Sequence, residues 1–155
     1  MKLDESKIID IECDHIRTKE AKKITYRGLE IYAVKRSTDY SYAQCALLDI
    51  TNKAWWCGYV EVPLDMYSLF KPRGYPDGAI LDELDGPNSY GLVHVHEGYT
   101  YIDNGIPHVL DDNKRLFLGW DYNHYLDTED CMTYQEILEE GMKVIDSMLA
   151  PKSND

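Results

Sequence analysis

The chain has 155 residues, 44% of them hydrophobic, and a formal net charge of −12. That length suits one domain whose core needs no staples, while the charge repels phosphate backbones and argues against direct DNA or RNA binding. No window approaches the roughly 18 apolar residues of a membrane span, and the start Met1-Lys2-Leu3-Asp4-Glu5-Ser6-Lys7 leads into no signal-peptide core.

The expected compartment is therefore the cytoplasm. Cys13, Cys45, Cys57 and Cys131 are then reduced, and none is spaced for a C-x-x-C zinc or redox motif. Thirteen tyrosines and three tryptophans favour strands and contact surfaces.

Ile8, Ile9, Ile11 and Ile16 fit a short helix or a strand equally well. Lys23-Ile24-Thr25-Tyr26, Arg27-Gly28 and Leu29 to Lys35 read as two strands and a tight turn. Leu29, Ile31 and Ala33 alternate with Glu30 and Tyr32, which predicts one buried face. Tyr42 to Ile50 is an apolar run of strand length, with Thr51-Asn52-Lys53 as the turn after it. Trp55 to Val62 is a further strand, ended by Pro63.

Residues 63–91 hold four of the six prolines, which is loop chemistry on the scale of a lid or binding loop. Leu92 to Tyr101 reads as a strand, 103–114 as a polar connection, and Arg115 to Trp120 as the next strand. Thr133-Tyr134-Gln135-Glu136 is a capping box. It opens a helix whose stripe of Ile137, Leu138, Gly141, Met142, Ile145, Met148 and Leu149 belongs to the core, and Pro151 stops it. The predicted fold is α+β: an antiparallel sheet of about five strands with the C-terminal helix packed on one face.

Four of the five histidines fall between His94 and His124. On a strand His94 and His96 share a face, and neutral imidazoles so placed can converge on one ion. Asp121, His124 and Asp127 follow the next predicted strand, so neighbouring strand ends would bring the two groups together. His94, His96, Asp121 and His124 suit a divalent transition metal, and His96, Asp121 and His124 equally suit acid–base catalysis. The competing structural reading is a set of hydrogen-bonded polar side chains. For His94, and for His108 beside Pro107 in a loop, the structural reading is favoured. No phosphate loop, nucleophile elbow, H-E-x-x-H or dinucleotide fingerprint occurs, and Cys57 and Cys131 lack a catalytic-thiol signature.

One block reads His96-Glu97-Gly98-Tyr99-Thr100-Tyr101 and the second runs from Leu118 through Gly119, Trp120, Asp121 and His124 to Asp127. Together they resemble a pattern in small uncharacterised bacteriophage and prophage proteins, H-G-G-[LI]-T-Y followed by W-[LI]-G-F-D-x-x-H-x-x-D. The upstream Cys57-Gly58-Tyr59-Val60-Glu61-Val62 resembles their C-G-Y-V-x-V strand. Correspondence falls on His96, Gly98, Thr100, Tyr101, Gly119, Asp121, His124 and Asp127, across the middle and C-terminal half. Glu97, Tyr99 and Trp120 depart from the pattern. The resemblance implies a phage-like accessory protein with a shared pocket.

Three functions fit these observations. The first is a counter-defence type of protein in the host cytoplasm that binds a small ligand, such as a nucleotide signal, or blocks a host protein. Tyr99, Tyr101, Trp120, Asp127 and Arg73 would line its site, with Lys71 and Arg115 as further phosphate contacts. The second is a metal-dependent or acid–base hydrolase of phosphoesters. In the third, the polar cluster only ties the sheet together. Exposed aromatics make a homo-oligomer compatible with any of them.

Overall fold

A computed structural model of the chain describes residues 3–67, 95, 99–122 and 132–150. It is the α+β fold expected, with a six-stranded antiparallel sheet and a C-terminal helix packed against it. The strands are β1 (Ile9–Ile11), β2 (Thr18–Tyr26), β3 (Leu29–Ser37), β4 (Ala54–Glu61), β5 (Tyr101–Asn104) and β6 (Leu116–Asp121). Their spatial order is β1-β2-β3-β4-β6-β5. The described α-helices are α1 (Tyr42–Leu48) and α2 (Tyr134–Leu149).

The β2–β3 hairpin turns at Arg27 (φ 51) and Gly28 (φ 81), both left-handed, as the twist of a two-residue hairpin demands. Arg27 adopts that conformation despite its Cβ, and its guanidinium pairs with Asp146 of α2 at 2.9 Å. The capping box of α2 is present, with Thr133 accepting from the Glu136 N–H and Glu136 accepting from that of Thr133. Ile137, Leu138, Met142, Ile145 and Met148 are buried against β2, β3 and β4. At Gly141 the helix comes so close that an added Cβ would lie 2.4 Å from Ile31 Cγ2.

Three expectations need correction. Tyr42 to Ile50 is not a strand: Ser41 and Gln44 form a capping box, Tyr42–Leu48 is helical, and Asp49 (φ 53) ends it. None of its residues is buried, so its apolar run serves no core. β3 is buried on both faces, because Tyr32 and Val34 pack with Tyr59, Ile106 and Phe117 on the side away from α2. Of the strand placed at 92–101 only Val95, Tyr99, Thr100 and Tyr101 are described, and Tyr101 opens β5, in which Asp103 and Asn104, read as connection, pair with Phe117 and Leu116. The apolar start resolves into a 3-10 turn at Glu5–Lys7 and β1. Pro151 lies outside the described residues.

Candidate functional site

Of the residues singled out in the sequence, Tyr99, Tyr101, Trp120 and Asp121 are described, and His94, His96, His124, Asp127, Lys71 and Arg73 lie outside the described residues. The two sequence blocks do meet. The Thr100 N–H donates to the Gly119 carbonyl at 2.9 Å, and Thr100 Oγ1 donates to Asp121 Oδ2 at 3.0 Å. Asp121 ends β6 opposite Cys57.

Trp120, expected to touch a ligand, is instead a core residue only 1% exposed. Its ring lies over Gly58, its Nε1 donates to Glu140 of α2 at 2.6 Å, and Tyr99 meets its edge. Tyr101 packs edge-on against Tyr59 and donates its hydroxyl to the Gly105 carbonyl at 2.8 Å. Arg115 is no free phosphate contact. Its guanidinium pairs with Glu30, with Asp112 at 2.7 Å and with Glu61 at 3.5 Å. Among the described residues no three His, Cys, Asp or Glu come together to hold a metal ion. Cys57 is buried, and desolvation followed by the nearby Asp121 pushes its thiol up to about 12, far from a nucleophile at neutral pH.

A concavity that holds two arginines lies elsewhere, at the end of the sheet where β2 starts, β3 ends and β4 starts. Register aligns Thr18, Arg36 and Trp55 across the three strands. Alternation puts Arg36 on the same face as Tyr32 and Val34, and so beside Tyr59. A groove of about 520 Å³ opens there, lined by Arg17, Thr18, Arg36, Trp55 and Tyr59 and by His15 and His108. Ser37 also lines it, and its buried Oγ has no partner among the described residues.

The outer wall is built from two distant segments. Ile106-Pro107-His108-Val109 is a tight turn closed by the Val109 N–H on the Ile106 carbonyl at 3.1 Å. His108 takes φ 60, a position that ordinarily suits glycine. Its ring stacks on His15 with centroids 3.6 Å apart and planes 9° from parallel. His15 is itself oriented, since its Nδ1 accepts the Arg17 N–H at 3.2 Å. On the far side of His108 a second groove carries Asp14, Asp103, Asp111 and Asp112. His108 thus stands between an acidic hollow and a basic one.

Arg36 decides the electrostatics of the basic groove. It donates Nη1 to Thr18 Oγ1 at 2.6 Å and Nη2 to the Tyr59 hydroxyl at 3.3 Å. Both acceptors are neutral, and among the described residues neither Arg36 nor Arg17 forms an ion pair. Desolvation raises the Cys13, Cys57 and Tyr59 acids, all within reach of the Arg36 charge, so none ionises to neutralise it. A half-buried cation without a counter-ion is unusual in any protein, the more so in one of net charge −12.

Sequence reasoning missed Arg36, Arg17 and His15. Comparison of the chain with family models, with curated proteins and with solved structures found no match. No described helix is long and apolar enough to cross a membrane.

Proposed function

We propose that the chain is a binding protein for a small anionic ligand, and that its site is the groove between Arg36, Arg17 and the His15–His108 pair. The uncompensated Arg36 charge carries this reading, because an anion would supply the counter-charge that the described residues do not. The volume, about 520 Å³, falls within the range of ligand clefts. In the setting that the phage resemblance implies, such a protein would act in the host cytoplasm and capture a signalling molecule. Blocking of a host protein through the acidic surface is the alternative reading if no small ligand is found.

Non-denaturing mass spectrometry of the purified chain tests the proposal. A bound small molecule, lost in Arg36→Gln, is the expected result. No retained molecule, together with no thermal stabilisation by any member of a panel of anionic metabolites, would count against it.

The Thr100–Asp121 contact favours a second reading, since it joins the block that contains His96 to the one that contains His124. On that reading His96, Asp121 and His124 perform acid–base chemistry or hold a divalent transition metal together with His94. Plasma mass spectrometry decides it. One equivalent of metal in the wild type, absent from His96→Ala/His124→Ala, supports a metallohydrolase, and equal metal content in both does not.

A further inference from the structure

Resting on the anion-groove reading above, the geometry points to a ligand class: we infer that the groove takes a phosphate monoester carried on a flat ring, as in a nucleoside monophosphate. An arginine side chain has five N–H donors. Arg36 uses donors on Nη1 and Nη2 for Thr18 and Tyr59, which fix the guanidinium plane, and its remaining N–H groups have no partner among the described residues. Thr18 Oγ1 accepts from Arg36, so its own proton is free to donate, and Thr18 is only 3% exposed. Arg17 adds a second cation from the neighbouring segment at the groove's rim.

These donors come from different strands and directions. They fit the three tetrahedrally arranged oxygens of a phosphate monoester better than the two coplanar oxygens of a carboxylate. The ring half of the ligand is argued from Trp55. It stands next to Arg36 in register, is half-buried, and lines the same groove. An indole face held beside an anion site stacks a planar base without demanding a particular one. The Tyr59 ring adds a second contact to the Arg36 guanidinium, 5.8 Å from carbon to ring centroid, beside the hydrogen bond to its hydroxyl.

Isothermal titration of the full chain with AMP, GMP, adenosine, ribose 5-phosphate, inorganic phosphate and citrate tests this. AMP or GMP should bind more tightly than any of the other four. Arg36→Gln should weaken that binding about ten- to a hundredfold, and Arg17→Gln should weaken it several-fold. Arg27→Gln, which removes one positive charge at the opposite end of the β2–β3 hairpin, should leave it unchanged. Circular dichroism checks that Arg36→Gln is folded, and Arg17 is an exposed side chain whose loss leaves the fold intact.

Adenosine binding as tightly as AMP, or Arg27→Gln weakening AMP as much as Arg36→Gln does, would overturn the inference. Inorganic phosphate or ribose 5-phosphate matching AMP would overturn the ring half. Citrate binding through Arg36 without AMP or GMP would overturn the ligand class while leaving the anion groove standing. No binding of any of the six by folded protein would remove both.

Discussion

Glu140 offers the sharpest test of how α2 is fixed to the sheet. Its carboxylate accepts Trp120 Nε1–H at 2.6 Å and the Tyr122 hydroxyl. Trp120 is 1% exposed and Tyr122 4%. Both side chains project from the end of β6 toward the helix, two residues apart and therefore on one face. Glu140→Ala removes the acceptor of two buried donors, at about 1–3 kcal/mol for each that is left unsatisfied. Glu140 itself is only half-buried, so water entering beside the shortened side chain recovers part of that. The net destabilisation should be about 2–4 kcal/mol, a large part of the roughly 5–15 kcal/mol that holds a domain folded. At roughly 2–4 °C per kcal/mol for a chain of this size, Tm should fall by about 5–15 °C. Glu140→Gln keeps a carbonyl acceptor and loses the charge, so it should cost about half as much. Thermal denaturation followed by circular dichroism reads both. A Glu140→Ala protein melting within about 2 °C of wild type would refute the reasoning, because the indole and phenol would then be satisfied some other way.

Acidification should act through Arg115. The Arg115 side-chain and backbone hydrogen bonds hold Asp112 down to about 2, below its ordinary 3.8. Burial raises Glu30, but hydrogen bonds from Lys23, Arg115 and Tyr32 outweigh it and hold that carboxyl low as well. Both groups stabilise the fold above their unfolded values and lose that contribution as pH falls through the folded ones. The stability gap between wild type and Arg115→Met should therefore be full at neutral pH and close between about pH 4.5 and 2; urea titrations showing a constant gap would contradict this. Gly141→Ala should cost about 1–3 kcal/mol by overpacking, since its Cβ would stand 2.4 Å from Ile31 Cγ2; an unchanged urea midpoint would mean that α2 is not seated so closely. Iodoacetamide should modify Cys45 in native protein at pH 8 well before Cys57, whose thiol is buried and raised to about 12; peptide mapping that finds Cys57 first would overturn the burial argument.

Much of the architecture could be read from local chemistry. Arg27-Gly28 between alternating residues specifies a hairpin, and Thr133 with Glu136 ahead of a stripe at helical spacing specifies α2. The error at Tyr42 came from equating an apolar run with burial. Ser41-x-x-Gln44 was a capping signal, and Ala43, Ala46, Leu47 and Leu48 are good helix formers. β3 reads Ile31-Tyr32-Ala33-Val34 without a polar break, the pattern of a strand covered on both faces. The groove was not legible for a different reason. Arg36 follows Lys35 near a strand end and resembles any solvated pair of cations in one dimension. What distinguishes it is register with Thr18 and Trp55, together with a histidine stack between positions 15 and 108. Those relations exist only once the sheet is assembled. Trp120 is illegible in one dimension because tryptophan marks both contact surfaces and cores, and the Glu140 acceptor on a distant helix is what seats it in the core.

The ends of the sheet limit how this molecule can meet others. Its outermost described strands, β1 and β5, are three and four residues long. Each carries an aspartate, Asp10 or Asp103, and both aspartates are exposed. Short borders offer a poor template for main-chain pairing, the more so where they carry charge. At β5 a second copy would meet the like charge of Asp103, whereas on β1 Asp10 is ion-paired with Lys22 and the shortness of the strand is the main obstacle. Self-assembly by strand addition, the route from a folded sheet to a fibre, is thus resisted at the described borders.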